Sequence, residues 1–257
     1  MPDRWHAFDH YAYAAIAVLG TFAAIAGIDW LMVASPWAAW THGLNGVAAP
    51  FSNVLGVLFG LTVAFLSNDT WTAHDRARSA LLRESDAVRG LDVLAATLPD
   101  PIRAPLRRAI ADYARAAAAE WPALAHCTTH EPARDAADRL LERVADRRVA
   151  EVAGNTVQQL MLAEVAAIRQ NRDARIGLSR THVNPLKWMG MAFLGFLTLV
   201  SVAVIHANDP RSALIAMVIF GCAAAPTAAI VLIHGNPFQP PSAVKPNQLL
   251  EALADRP

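Results

Sequence analysis

APFSNVLGVLFGLTVAFLSNDTWTAHDRAR, residues 49–78, is apolar in its first half and polar in its second, with no break between the halves. The apolar part runs from Pro50 and Phe51 past Gly56 and Gly60 to Phe65. After Asn68 a polar helical pattern takes over and continues through Ala77 and Arg78. A membrane helix that leaves the bilayer and goes on as a soluble helix suits a pore wall that continues into a vestibule. The stretch points to an all-α integral membrane protein.

The rest of the chain agrees. Of its 257 residues 54% are hydrophobic and 17% charged, with a mean hydropathy of +0.28. The apolar residues gather in four blocks, Tyr11–Val33, Val47–Leu66, Trp188–Ile205 and Ala213–Ile233, none of which contains Lys or Arg. Each approaches or exceeds the ~20 residues that cross a bilayer. The expected fold is four membrane helices with a helical domain inserted between the second and third. The expected domains are 1–67, 68–184, 185–234 and a tail, 235–257.

Net charge is zero, so no bulk attraction to nucleic acid is expected. The distribution of charge is more informative. Arg76, Arg78, Arg83, Arg89, Arg103, Arg107 and Arg108 follow the second block, and Arg169, Arg172, Arg175, Arg180 and Lys187 precede or open the third. Residues 34–46 and 206–210 contain no Lys or Arg. The positive-inside rule then makes the middle region and both termini cytoplasmic. Trp30, Trp37 and Trp40 fall where an outer interfacial belt is expected. The N-terminal region carries Arg4 balanced by Asp3 and Asp9, and its apolar run is long for a cleaved signal, so it reads as a retained first span. Cys127 and Cys222 fall in different environments and are not expected to pair.

Within the middle region Leu81, Leu82, Val88, Leu91, Leu94 and Leu98 recur at helical spacing until Pro99 and Pro101. Ile102, Leu106, Ile110, Tyr113, Ala117 and Trp121 mark one face of a next helix that Pro122 ends. Residues 123–132 read as a loop. A long pattern from Ala133 to Ser179 follows, with an interruption expected at Gly154 and Asn155. The tail is expected along the cytoplasmic surface, with a short helix at Gln248–Ala254.

Pro50, Gly56, Phe65, Asn68, Trp71, Ala77 and Arg78 stand in the order and spacing of the second membrane helix of the bestrophins, which the stretch resembles. Residues 59–65 (FGLTVAF), Glu120-Trp121-Pro122 and Asn236-Pro237-Phe238 add a closer resemblance to the bacterial bestrophin-like family, covering roughly Gly46 to Leu253. The resemblance implies a pentameric ring around an axial pore lined by the second span, in the inner membrane of a bacterium. It implies a neck at Ala49, Asn53 and Val57. The same helix face continues through Leu61, Ala64 and Asn68. Animal bestrophins carry bulky side chains at the neck, so Ala, Asn and Val here imply a wetter constriction. Asn53 alternatively bonds a neighbouring helix. Asp69 and Asp75 are candidate vestibule charges, with Asp75 on the pore face. That placement leans towards cations, against the alternative of an ordinary acidic helix start.

Other candidates carry less. His126, Cys127 and His130, with Glu131, fall short of a recognisable metal set, and no cofactor is expected. Asp29 is expected near the outer interface and Pro226 as a kink. His206 and His234 cap the last two spans. The tail offers only Glu251 and Asp255 towards calcium, which needs more oxygens. No phosphate-binding Gly loop, HExxH, G-x-S-x-G or paired-Cys zinc pattern occurs, so no enzyme is expected. The expected function is passive conduction of small inorganic ions by a homo-oligomer in a lipid bilayer. The rival is a non-conducting membrane scaffold or sensor. A secondary transporter would show inverted repeats, and none is seen.

Overall fold

The computed structural model describes residues 9–36, 45–180, 185–240 and 243–254. Trp37, Trp40 and Asp255 lie outside them. Among the described residues all regular structure is helical. In chain order these are α1 (Asp9–Val33), α2 (Asn45–Ala96), α3 (Arg103–Ala119), α4 (Trp121–Ala125) and α5 (Glu131–Ala145). Then come α6 (Arg147–Ala153), α7 (Asn155–Ser179), α8 (Pro185–Ile205), α9 (Pro210–Ile233) and α10 (Asn247–Ala254). Four of them, α1, α2, α8 and α9, are long and apolar enough to cross a membrane. The opening stretch lies wholly within α2, one helix of 52 residues.

The helices form two compact units, Thr72–Thr181 with Asn236–Pro257, and Pro2–Trp71 with His182–Gly235. In the second, apolar unit α1 packs on α9 around Ile25, Ile28, Met32, Ala213 and Met217, with Leu199 and Ala203 from α8. Gly221 permits the close approach, since a Cβ there would lie 2.7 Å from Ile25 Cδ1. Phe59 of α2 tilts against Phe220 of α9 with ring centroids 5.4 Å apart. Pro226 does not end α9, which runs on to Ile233.

The first, polar unit is a bundle with a large apolar core from Ala77 to Ala252. Its details correct three sequence expectations. First, Trp121 does not continue α3, and Pro122 does not end it. α3 stops at Ala119, and Trp121 and Pro122 open α4, where a proline's missing N–H costs nothing. Second, the run from 133 to 179 breaks at Asp146 as well as at Gly154. The Asp146 carboxylate accepts from the Arg148 N–H at 3.0 Å and caps α6. Gly154 takes φ +81°, a conformation that favours glycine. Gln158 Nε2 then donates to the Val144 and Asp146 carbonyls at 2.9 and 3.2 Å, satisfying groups that the break exposes.

Third, the tail forms its expected short helix as α10 but does not lie wholly along the surface. Asn236 is 1% exposed, Phe238 2% and Leu249 0%. Asn236 Nδ2 donates to the Leu124 carbonyl and Gln239 Nε2 to that of Ala125. Phe238 meets Trp121 edge to face at 5.7 Å, and the Trp121 indole N–H donates to the Val244 carbonyl. Asn236–Gln239, Leu249 and Ala252 are buried, while Lys245, Leu250 and Glu251 stay exposed.

Candidate functional site

α2 is poorly covered within the single chain. Between Ala49 and Asp69 Leu66 is the one buried residue. A helix turns about 100° per residue. On that wheel Asn53, Val57, Ala64, Asn68 and Asp75 fall within about 60° of one another. All five are exposed, as are Ala49 and Leu61 at the edges of the same face. Phe59, Val63 and Leu66 lie roughly opposite and pack with Met191, Ala228 and Val231. Side-chain packing therefore claims one side of α2, and the predicted pore residues lie on the exposed remainder, which also carries Phe51, Val54, Leu58 and Phe65.

The face has a composition that lipid alone does not explain. Val57 is 54% and Leu61 50% exposed, and the amides of Asn53 and Asn68 are exposed beside them. An amide facing hydrocarbon goes unsatisfied, so polar groups in a span turn towards protein or water. Trp71, 65% exposed, falls on the same face, about 30° from the mean of its members. Sequence reading used Trp71 as a motif residue without placing it there.

The two acidic candidates separate. Asp69 lies about 120° round the helix from the face, and its carboxylate pairs with Lys187 Nζ at 2.6 Å. Its charge is offset locally. Asp75 stays on the face and lines a cavity with Arg76 and Arg83. No ion pair involves Asp75 among the described residues.

A second polar centre lies inside the polar unit, and sequence reading missed it. Glu84 of α2 and Arg175 of α7 are both fully buried. Their two-pronged pair has Nε–Oε2 at 2.6 Å and Nη2–Oε1 at 2.8 Å. Tyr113 Oη donates to Glu84 Oε1 at 2.7 Å. Next to it Arg172 holds Glu120 by Nε and Nη2 at 3.1 and 2.6 Å, and the His130 backbone N–H donates to Glu120 Oε1. The Arg175 guanidinium also stacks over the Trp121 ring at 4.6 Å, a cation–π contact. Its Nη1 is buried with no partner.

Burial lowers the affinity of Arg175 for its proton, but the charge and hydrogen bond of Glu84 outweigh this and hold the pKa raised. Burial, then the Glu84 charge, pushes the Tyr113 phenol well above 10.0. A raised phenol pKa keeps the folded form protonated where the unfolded chain ionises. Stability is therefore full below about pH 10 and falls as pH rises past it, by at most about 1.4 kcal/mol per pH unit for this group. Unfolding measured from pH 8 to 11 is expected to show a shallower loss above pH 10 in Tyr113→Phe than in wild type. Parallel curves would remove Tyr113 from the account.

The signal for this centre was present. Met161, Val165 and Ile168 step along α7 by three or four residues, and the same stepping continues into Arg172, Arg175 and Ser179, all buried. Of the weaker candidates, Cys127 adopts φ 60° and accepts a weak hydrogen bond from Asn236 Nδ2 at 3.8 Å. Asp29 is half-buried on α1.

A family model for the Bestrophin-like domain matches residues 19–249. Solved structures of a bacterial bestrophin homologue from Klebsiella pneumoniae share the fold. One that carries a single substitution has a TM-score of 0.65 at 13% identity, covering 94% of this chain and 98% of that chain. Another, phased on zinc, has a TM-score of 0.59 at 14% identity, covering 95% and 98%. A structure described only as that of a membrane protein has a TM-score of 0.64 at 15% identity, covering 95% and 98%. No curated protein matches the chain.

Proposed function

The chain belongs to the bestrophin-like family, and from that premise we propose that it is a passive ion channel whose axial pore is lined by α2 in a homo-oligomeric ring, a pentamer. The carrying observation is the uncovered face of α2. It holds Ala49, Asn53, Val57, Leu61, Ala64 and Asn68 and lies opposite the packed face. A ring of copies around an axis gives that face a water-filled space. The neighbouring exposed apolar side chains, Phe51 and Phe65, then meet lipid or the next copy.

In this reading α1, α8 and α9 are the other spans, crossing the inner membrane of a bacterium. The segment 68–184 is a cytoplasmic insertion, and 235–257 a cytoplasmic tail docked on it. Asn53 hydrates the neck, and Val57 and Leu61 form its apolar rings. Asp75, on the face and unoffset by an ion pair, favours cations below the neck. Asp69, paired with Lys187, contributes less.

Native mass spectrometry from mild detergent tests the ring, and a monomer or dimer would end the reading. Bilayer recordings test the face. Asn53→Leu is expected to lower conductance by drying the neck, and Asp75→Asn to move the reversal potential away from that of the cation. Currents unchanged in both variants would remove these residues from the pore.

A further inference from the structure

We propose that the cavity between the N-terminal half of α5 and the C-terminal half of α7 binds a small organic carboxylate. The cavity lies wholly within the polar unit, has a volume of about 300 Å³, and is lined by His130, Arg134, Arg169, Arg172 and Arg180 among others. That volume is at the lower end for small-molecule sites. A site there does not depend on the channel reading.

The deepest charged group on its wall is Arg172, whose side chain is 8% exposed. Glu120 takes its Nε and Nη2, which fixes the guanidinium plane and leaves Nη1 as the donor for the cavity. A guanidinium already held flat loses little freedom when it takes a second oxyanion. His130 lines the same cavity, and its Nδ1 is buried without a partner. A buried ring nitrogen in that state is costly unless a ligand or water meets it. His130 is also the N-cap residue of α5, a 15-residue helix, and gives it no side-chain cap. The positive end of that helix therefore opens on the same space.

The charge balance selects the class of ligand. Arg169 pairs with Asp138 at 3.3 Å and Arg172 with Glu120. The remaining lining charges are Arg134 and Arg180 against Glu131 and Asp173, all four exposed. No net positive field is left for a dianion such as phosphate. A single carboxylate needs only short-range donors, and its two oxygens match what Arg172, His130 and Arg134 offer. The rim acids Glu131 and Asp173 leave room for an ammonium group on the same ligand. The source is thus a simple monocarboxylate or an amino acid.

Propionate and alanine differ only by that ammonium, so they are the probes. The full-length protein in detergent is titrated with each and its thermal unfolding followed, with chloride and inorganic phosphate at matched ionic strength as controls. A saturable rise in unfolding temperature is expected with at least one probe, at an affinity on the order of 1 mM. Arg134→Gln, on the exposed rim, and His130→Ala are each expected to weaken it about tenfold. Arg172→Lys, which keeps a charge for Glu120, is expected to weaken it as well. Response to propionate alone assigns a monocarboxylate, and a stronger response to alanine an amino acid. A rise that chloride reproduces, a tighter response to phosphate, or a probe response unchanged in all three variants would overturn the assignment.

Discussion

Glu84→Ala is expected to destabilise the polar unit by about 3–5 kcal/mol, enough to unfold it in most marginally stable contexts. The cause is what remains behind. Arg175 is fully buried, and without Glu84 its nearest carboxylate is that of Glu120, 3.9 Å from Nη2 and already held by Arg172. One guanidinium nitrogen is unpartnered even in the intact protein. The variant would leave two more in the same state, together with the Tyr113 hydroxyl. Stacking on Trp121 returns only ~2 kcal/mol at best. Hydrogen exchange in α3 and α7 gives the readout, since local opening reports the stability of the unit that contains them.

A triple variant separates stranding a charge from losing a stabilising pair. Glu84→Leu with Tyr113→Phe and Arg175→Met replaces the centre by apolar groups of similar volume. It is expected to recover most of the loss, because the gross attraction of a buried pair is largely spent on desolvation. Glu84→Ala within about 0.5 kcal/mol of wild type would show that water or a rearranged Glu120 compensates. A triple variant as weak as the single one would show that the pair itself supplies the stability.

What the sequence made legible follows from what is local. The apolar blocks declared themselves because hydropathy over ~20 residues is a property of the segment alone. α2 was readable past Asn68 because no proline interrupts it before Pro99 and its apolar residues keep the helical step across the single Gly90. The candidate pore face came from the resemblance at Ala49, Asn53 and Val57, and helical spacing only extended it to Leu61, Ala64 and Asn68. The buried centre was not read because Arg172 and Arg175 were counted as positive-inside charges, a rule that treats every Arg as solvated. Their partners, Glu84 and Glu120, lie 91 and 52 residues away, and no window in the sequence joins them. The tail failed for the same reason. Its prolines read as surface chain, while the burial of Phe238 depends on Trp121, far back in the sequence. Asp146 was missed because a capping aspartate within a polar run resembles any other solvated acid.

Val57→Lys is the substitution with the largest expected functional effect, and it tests the uncovered face without assuming which ion flows. Val57 lies near the middle of the apolar part of α2 and is 54% exposed in the single chain. If the face lines water in a ring, a lysine there is hydrated, and the protein is expected to insert and assemble as wild type does. If the face meets lipid, the ammonium costs about 2.5–3.5 kcal/mol at the centre of the span. If it packs against another helix, the cost is larger, and the oligomer is expected to fall apart. Assembly therefore answers the question before any current is recorded. In an assembled ring each charge about 5 Å from the axis raises the energy of a passing monovalent cation by ~0.8 kcal/mol even in the dielectric of bulk water. About five copies give roughly 4 kcal/mol, close to a thousandfold loss of cation permeability before salt screening. The expected result is an intact oligomer whose reversal potential has moved to that of the anion. An intact oligomer with unchanged selectivity would place the conduction path elsewhere. A dispersed one would return α2 to the role of a packing helix, and with it the chain to that of a membrane scaffold.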